Sequence, residues 1–216
     1  MKKVLEFWEQ RYREDNTPWD AEGLCPILTP FAKSHKAFAA FKNSSVLIPG
    51  CGKGHEIALA LKLEHKNIIA FDLSPSAITK AKTLYEQQAK KEDINLKILV
   101  ADFSKDNEAR TIADSGSIDL VIERAMLCAL PPSLWKKYLK SLKSFLKPKA
   151  YYAGVFNIDR ESKLSMEDLE GPPFPCPLYL FEKLIESLFE IEFIEEVEKG
   201  ELYKAPHTFK VVLRAL

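Results

Sequence analysis

Short apolar runs alternate with amphipathic segments along most of this chain. The apolar runs lie at residues 46–48, 68–71, 96–100, 118–122 and 150–157. Helices are predicted between them over residues 55–64, from Ser74-Pro75 to about residue 90, and over 133–146. The runs have the length of buried strands, and their alternation with helices is typical of βαβ crossovers. The pattern therefore predicts the α/β fold class, with a parallel sheet covered by helices on both faces.

The two ends of the chain add further elements. Helices are predicted over residues 4–14, 27–41 and 178–188, and alternating runs over 189–194 and 208–213. The two alternating runs are joined by a polar loop and are typical of a β-hairpin. Because no repeat or low-complexity linker divides the sequence, we expect a single domain over residues 1–216.

Charge and cysteine content narrow the class of partner. The 31 lysines and arginines equal the 31 aspartates and glutamates in number, so no overall field draws the protein to nucleic acid or to an anionic membrane. A small-molecule substrate is favoured, and the absence of a heptad seam favours a monomer. No segment reaches membrane-spanning length, and the N-terminus turns acidic before a secretory core develops. Four widely spaced cysteines indicate a reduced, cytoplasmic location.

The glycine-rich segment at residues 49–54, P-G-C-G-K-G, follows the first apolar run. In an open parallel sheet a ligand lies beyond the carboxyl ends of the strands, and glycines let the backbone approach it closely. The Gly-Lys-Ser/Thr of a P-loop is missing. A dinucleotide fingerprint would need a third glycine at His55, whereas the G-x-G-x-G spacing of Gly50, Gly52 and Gly54 favours the amino-acid part of S-adenosylmethionine.

Two aspartates end the next strands. Asp72 is placed to accept hydrogen bonds from both ribose hydroxyls. Because NAD also has a ribose, this residue does not distinguish S-adenosylmethionine from NAD. Asp102 can accept from the adenine amino group, while Phe103 or a backbone amide addresses the ring. The alternative is that both aspartates only cap the helices that follow.

Three separated motifs resemble the thiopurine S-methyltransferase family, which includes thiol and halide methyltransferases. They are P-G-C-G-K-G-H-E at 49–56, I-E-R-A-M-L-C-A-L-P-P at 122–132 and G-P-P-F at 171–174. The resemblance runs from Trp8 to about residue 200. It implies a Rossmann-like class I methyltransferase: a seven-stranded, mostly parallel sheet with one antiparallel strand, and an N-terminal helical lid over residues 1–44 on a catalytic core of 45–216.

The resemblance also assigns roles to residues. Lid aromatics are expected to close over the cofactor, and Arg124 to face the acceptor. The residues implied in cofactor contact are Trp8, Tyr12, Trp19, Gly50, Asp72, Leu73, Asp102, Phe103 and Glu123. On spacing alone, Trp8 and Tyr12 would more often be core packing. The pair Glu123-Arg124 ends an apolar strand, and its alternative is an exposed ion pair.

These residues predict direct methyl transfer from S-adenosylmethionine to a thiol or similar soft nucleophile, leaving S-adenosylhomocysteine. Positioning does most of the catalysis, and Arg124, which cannot act as a base, is expected to stabilise a thiolate. No base pairs with a cysteine, so Cys51 and Cys128 are expected to be buried spacers. The four histidines have no metal-ligand spacing, and no metal is expected.

The acceptor is the least determined part of the prediction. Arg124 stands where some thiol and halide methyltransferases have tyrosine, and residues 199–207 lack an arginine that some thiopurine enzymes have. The acceptor can therefore be a thiopurine, a small thiol, sulfide, a selenium or tellurium compound, or halide. The alternatives are an O- or N-methyltransferase of the same fold, a non-catalytic protein that binds S-adenosylmethionine, and an NAD-dependent enzyme.

Overall fold

The computed structural model describes residues 2–20, 22–41, 44–197 and 207–216. The strands are β1 Ser45–Pro49, β2 Asn67–Asp72, β3 Asn95–Val100, β4 Ile118–Arg124, β5 Leu146–Asp159, β6 Cys176–Pro177, β7 Phe189–Glu196 and β8 Thr208–Ala215. Every predicted strand is present, within a few residues of its predicted bounds. The two-residue β6 was not predicted, because so short a pairing leaves no periodicity to read. The polar loop predicted between β7 and β8 lies outside the described residues over 198–206.

The strands form one twisted layer in the order β3-β2-β1-β4-β5-β8-β7, with β6 paired to the side of β5. Pairings among β1 to β5 are parallel, whereas β8 runs antiparallel to both β5 and β7. This arrangement confirms the predicted mostly parallel sheet with one antiparallel strand. The strand order reverses between β1 and β4, so the carboxyl ends of β1, β2 and β4 open into a common crevice.

The helices occupy most of the predicted positions. They are α1 Lys2–Arg13, α2 Leu28–Ser34, α3 His55–Lys62, α4 Pro75–Lys91, α5 Asp106–Ile112, α6 Met126–Ala129, α7 Pro132–Phe145 and α8 Leu178–Ile185. Helix α4 begins as predicted, since Ser74 Oγ accepts from Ala77 N at 3.1 Å and proline stands at the first helical position. In the part of the chain that the structure describes, no helix is long and apolar enough to span a membrane.

Three helical details differ from the prediction. The predicted helix over 27–41 is interrupted at His35, whose backbone is extended and whose ring Nδ1 accepts from Ala37 N, opening a 3-10 helix at Lys36–Phe38. Helix α5 is short and polar, and α6 has four residues. Neither of these two helices has enough turns to show an apolar stripe in the sequence.

Alternate residues of each strand face two separate apolar layers. Leu47 of β1 packs with α7 and α8 in one cluster, whereas Val46 and Ile48 pack in the other with residues of α2, α3 and α4. Helix α2 therefore belongs to the sheet's second layer, where Phe31 stacks on Phe193 of β7 at 5.5 Å. Among the described residues of the lid predicted over residues 1–44, those of α1 and the loop after it line the crevice, and those of α2 do not.

Candidate active site

A cavity of about 370 Å³ opens at the carboxyl ends of β1, β2 and β4, beneath α1. Eight of the predicted site residues line it: Trp8, Tyr12, Trp19, Gly50, Gly52, Asp72, Leu73 and Arg124. Its volume is in the range of small-molecule sites. The fold thus brings the N-terminal segment, the glycine loop and the end of β4 to one place.

The glycine loop turns sharply between β1 and α3. Neighbouring side chains leave no room for a Cβ atom at Gly50 or at Gly52. Gly52 has a φ of +51°, and a Cβ there would lie 2.4 Å from Tyr12 Oη. Gly50 has a φ of +58°, and its Cβ would lie 2.4 Å from Met126 Sδ. A side chain at either position would be strained and would push away a cavity-lining residue.

Asp72 links the end of β2 to the glycine loop. Its Oδ2 accepts from Gly52 N and its Oδ1 from Ser74 N, each at 2.9 Å. Burial raises the pKa of this carboxyl above its ordinary value, while the backbone donors work in the other direction. Asp72 therefore shapes the loop as well as lining the cavity.

Aromatic rings of α1 and the following loop cover the cavity. Trp19 contacts both other predicted lid aromatics edge to face, with ring centroids 5.1 Å from Trp8 and 5.9 Å from Tyr12. Tyr12 is buried, and Trp8 and Trp19 are half-buried. Because Trp8 and Tyr12 lie one helical turn apart, both rings face the cavity, and both also contact Trp19.

Helix α1 is held on α4 by a carboxylate that sequence reasoning missed. Glu9 accepts from Ser74 Oγ at 2.6 Å, from Ser76 Oγ at 2.7 Å and from Ser76 N at 3.1 Å. It thus adds an anion to the N-terminal turn of α4 from outside that helix. Lys80 donates to Tyr12 O at 2.8 Å, one helical turn further along α1. Contacts across 65 or more residues leave no signal in a local pattern.

Arg124 forms a nearly buried ion pair on the opposite wall. Its Nε donates to Glu56 Oε1 at 2.6 Å and its Nη1 to Trp19 O at 3.4 Å. The side chains of Arg124 and Glu56 are 10% and 7% exposed, and Glu123 is fully buried, so the alternative of an exposed Glu123–Arg124 pair does not hold. The guanidinium is therefore fixed at the cavity by a residue from α3 and by the backbone of the covering loop.

A second charged cluster lies beside that pair. Asp20 Oδ2 lies 2.9 Å from Lys53 Nζ, and Asp20 Oδ1 lies 2.7 Å from His55 Nε2. All three residues line the cavity. Although burial works in the opposite direction, the hydrogen bonds from Lys53 and from the Glu22 backbone lower the pKa of Asp20. Asp20 is therefore an ionised acceptor at neutral pH.

Glu123 is placed differently from its neighbour Arg124. It is fully buried and does not line the cavity. Its carboxylate accepts from Leu127 N at 2.8 Å, from Tyr138 Oη at 2.6 Å and from Tyr152 Oη. Burial raises its pKa and also raises those of the two tyrosines. Because side chains alternate along a strand, Arg124 faces the ligand space while Glu123 holds α6 and α7 against β4 and β5.

Asp102 and Phe103 also lie outside the cavity lining. Asp102 Oδ1 accepts from Ser104 N at 2.8 Å, and its own backbone N–H donates to Glu108 Oε2 at 2.9 Å. The ring of Phe103 packs against Tyr138 with centroids 5.1 Å apart. The Asp102 side chain thus forms a local turn with Ser104 and does not cap α5, whose N-cap position is Lys105, and Phe103 is a core residue.

An apolar part of the lining comes from the segments after β4 and before β6, whereas the charged side chain of Arg11 lines the cavity from α1. Met126, Ala129, Leu130, Pro172 and Pro173 contribute to the apolar part. Phe174 N donates to Cys128 O at 2.7 Å, which ties the proline turn to α6. The G-P-P-F motif, separated from β4 by nearly fifty residues, therefore forms a wall of the same cavity.

The four cysteines are buried and none forms a disulfide. Burial raises the pKa of the Cys128 thiol to about 12 and also raises that of Cys51. Both residues border the cavity. Because a nucleophilic cysteine needs a stabilised thiolate, these surroundings disfavour a covalent role.

The thiopurine S-methyltransferase (TPMT) family model matches residues 3–211. The chain belongs to this family. It is 25% identical over 194 residues to thiocyanate methyltransferase 1 of Arabidopsis thaliana, covering 88% of this chain and 75% of the relative. It is 26% identical over 199 residues to a thiopurine S-methyltransferase of Aliivibrio fischeri, covering 91% and 87% of the two chains.

A solved structure supports the fold. The 1,6-didemethyltoxoflavin-N1-methyltransferase of Burkholderia thailandensis, with bound S-adenosylhomocysteine, superimposes with a TM-score of 0.72 at 14% identity. The match covers 98% of this chain and 87% of that one. Together with the family match, it confirms the predicted class I methyltransferase fold and the prediction of a methyltransferase.

Within this family member, sequence reasoning found the glycine loop, the strand ends and the covering aromatics. It missed Asp20, Lys53, Glu56 and Met126 as cavity residues, and it gave His55 no chemical role beyond its place at the start of α3. The two-residue run His55-Glu56 at the start of α3 was the available signal, since the first turn of that helix faces the crevice. Their partners on residues 19–20 and on β4 could be identified only in the folded chain.

Proposed function

We propose that this protein transfers the methyl group of S-adenosylmethionine to the sulfur of a small thiol or to a similar soft nucleophile, such as a thiopurine or a halide. The observation that carries the proposal is a single cavity bounded by Gly50, Gly52 and Asp72 on one side and by Arg124 on the other. The names of the relatives, a thiocyanate and a thiopurine S-methyltransferase, support sulfur as the accepting atom.

The cofactor is assigned to the glycine-loop side. Gly50 and Gly52 leave room for the amino-acid part, and Asp72 accepts the ribose hydroxyls with its buried carboxylate. Leu73 lies against the adenosine, and Trp8, Tyr12 and Trp19 cover the ligand from α1 and the loop after it. Asp102 and Phe103 support the adenine end from behind the wall, and Glu123 supports the turn that presents Arg124.

The acceptor is assigned to the space between Arg124, Met126 and the proline turn at 172–173. The sulfonium makes the methyl group electrophilic, so an acceptor held in line behind it needs chiefly orientation. Glu56 and the Trp19 carbonyl keep the guanidinium in place. A fixed cation in a mostly apolar cavity stabilises an anionic acceptor more strongly than it would in water.

We further propose that the protein acts as a monomer in the cytoplasm on a small molecule. Four buried, unbridged cysteines and equal numbers of acidic and basic residues support this. Sedimentation at several concentrations tests the oligomeric state, and self-association in the working range would contradict it.

The function is tested by cofactor titration followed by an acceptor panel. Calorimetry should show binding of S-adenosylmethionine and S-adenosylhomocysteine and none of NAD. Labelled cofactor is then incubated with an alkyl thiol, a thiopurine, thiocyanate, iodide, an alcohol and an amine. Methylation of a sulfur or halide acceptor supports the proposal. Transfer only to oxygen or nitrogen, or tight cofactor binding with no transfer at all, would overturn it.

A further inference from the structure

The cavity contains a histidine–aspartate pair that the proposed methyl transfer leaves without a role. His55 Nε2 lies 2.7 Å from Asp20 Oδ1, and the two side chains are 12% and 6% exposed. Lys53 Nζ lies 2.9 Å from the other oxygen of the same carboxylate. A histidine oriented by a buried carboxylate inside a ligand cavity has the arrangement of a general base.

The pair lies next to the cation assigned to the acceptor. Asp20 directly follows Trp19, whose carbonyl accepts from Arg124 Nη1 at 3.4 Å. His55 directly precedes Glu56, which receives Arg124 Nε at 2.6 Å. Residues 19 and 20 are consecutive in the loop, and residues 55 and 56 are consecutive in α3. The His55–Asp20 pair and the Arg124–Glu56 pair are therefore built from the same two short segments. His55 and Arg124 both line the cavity in which the acceptor is placed.

The hydrogen bond to Asp20 also determines which nitrogen can accept a proton. Asp20 is an ionised acceptor, so Nε2 of His55 carries the proton of that hydrogen bond. The neutral ring then keeps its lone pair on Nδ1. A carboxylate that fixes the tautomer in this way also stabilises the imidazolium after proton uptake.

We propose that His55 is a catalytic general base that removes the proton from a thiol acceptor, an inference that rests on the proposed thiol methylation. Nδ1 takes the S–H proton and the sulfur keeps the electron pair. The sulfur then forms a bond to the methyl carbon as the bond from that carbon to the sulfonium breaks. The products are a methyl thioether, neutral S-adenosylhomocysteine and an imidazolium, which returns its proton to water.

The proposal separates two kinds of acceptor that the same cavity can hold. A thiol with a pKa of about 8.5 is only about 3% ionised at pH 7 and benefits from a base. Thiocyanate and iodide are already anions and have no proton to lose. Arg124 should therefore matter for both kinds of acceptor, whereas His55 should matter only for the thiol.

The test compares the neutral thiol N-acetylcysteine amide with thiocyanate in wild type and in His55→Gln. The glutamine amide can still donate to Asp20 but cannot act as a base. At pH 7 we expect kcat/KM on the thiol to fall about 30-fold, the factor by which the thiol exceeds its thiolate at that pH. The rate on thiocyanate should not change, which also shows that the variant is folded and binds the cofactor.

The pH dependence gives a second readout. Raising the pH ionises the thiol in solution, so the defect of His55→Gln should shrink about tenfold per unit between pH 7 and 8.5. The charged and titratable groups around His55 are Asp20, Lys53, Glu56 and Arg124, and the carboxylates of Asp20 and Glu56 also interact electrostatically with Tyr85. Burial raises the pKa of Tyr85, so it stays neutral through this range.

The matched control is His207→Gln. His207 also faces an aspartate, with Nδ1 3.6 Å from Asp159 Oδ1, but it does not line the cavity. It should leave both acceptors unaffected. Equal loss of thiol and thiocyanate methylation in His55→Gln would overturn the proposal and leave His55 as a residue that only holds the loop at Asp20. A wild type that methylates thiocyanate but no thiol would also overturn it, and a wild type that methylates no sulfur or halide acceptor of the panel would overturn the proposed function as well.

Discussion

The two sides of the cavity are built in different ways. The loop and strand ends of the glycine-loop side come from one stretch of chain, β1 to Ser74, and their polar contacts are backbone N–H groups donating to Asp72, while α1 and the loop after it cover this side. The Arg124 side joins residues 19–20, 55–56 and 172–173 to the end of β4. A local motif suffices to build a site for a fixed cofactor. A site for a variable acceptor is assembled from loops that can change independently of one another.

The charges differ as well. Asp72 is a buried carboxylate hydrogen-bonded by neutral amides, and burial raises its pKa. On the other side, Asp20 and Glu56 are each paired with cations. A change on the first side should therefore alter cofactor affinity, and a change on the second should alter turnover or stability.

The largest effect is expected at Arg124. Arg124→Met should lower kcat on thiols by about 100- to 1,000-fold, the size of the loss seen when one group that stabilises transition-state charge is removed. Cofactor affinity, measured by calorimetry, should stay nearly the same. A loss confined to cofactor binding would contradict the assignment of the Arg124 side to the acceptor and the glycine-loop side to the cofactor.

The ion pair complicates this experiment and also provides its control. Arg124→Met leaves Glu56 buried without its partner, which costs about 3–5 kcal/mol of unfolding free energy. The double variant Arg124→Met/Glu56→Gln removes both charges and should recover most of that stability in a denaturant titration. Its kcat should stay low, because the cation is still missing.

The next effect is expected at Asp72. Asp72→Ala removes the proposed ribose acceptor and should weaken S-adenosylmethionine binding about 100-fold, since hydrogen bonds to a charged group contribute about 1.5–3 kcal/mol each. At saturating cofactor, kcat should be largely retained. The exposed carboxylate of Asp114 provides the control, because Asp114→Ala should leave binding unchanged. Equal binding by wild type and Asp72→Ala would remove Asp72 from the cofactor site.

A smaller effect is expected in the glycine loop. Gly52→Ala strains a backbone with φ of +51° and places a methyl group 2.4 Å from Tyr12 Oη, which should lower cofactor affinity about tenfold as α1 shifts. Gly116→Ala has the same kind of backbone strain, with φ of +64°, and no atom within 4 Å of the new Cβ. It should lose stability but bind the cofactor normally. If both variants bind equally well, α1 does not depend on the contact at Gly52.

The smallest effect on activity is expected at Glu123. Glu123→Gln should leave cofactor affinity and kcat close to wild type and lower the unfolding free energy by about 1–3 kcal/mol, because the amide nitrogen of glutamine cannot accept a hydrogen bond and the three donors keep only one acceptor oxygen. The exposed Glu161→Gln is the control. A selective loss of cofactor affinity would return Glu123 to the cofactor site.

The same variant predicts a pH dependence. Burial raises the folded-state pKa of Glu123, so the stability linked to its protonation is fully present below the unfolded pKa and lost as pH rises through the folded pKa. Glutamine has no such loss. The cost of Glu123→Gln should therefore be greatest at acidic pH and decrease as pH rises, which unfolding titrations across that range would show.

Most of the fold could be predicted from local pattern. The strands are short apolar runs because both faces of a parallel sheet are buried, and Ser74-Pro75 marks the start of α4. Helices α5 and α6 were missed because they are too short to show a period. The extent of the lid was also hidden, since the apolar residues of α2 have the same pattern whether they pack on the sheet or cover a ligand.

The sequence by itself determined the class of fold, the family and the side of the cavity where Gly50, Gly52 and Asp72 meet, because those contacts join neighbouring segments whose geometry is set by strand, turn and helix. Only the tertiary structure decided that Glu123 faces away from the cavity, that Arg124 pairs with Glu56, and that Asp20 meets His55. The physical reason is that pairing of charges depends on distance in space, and a buried charge is stable only where the fold brings its partner.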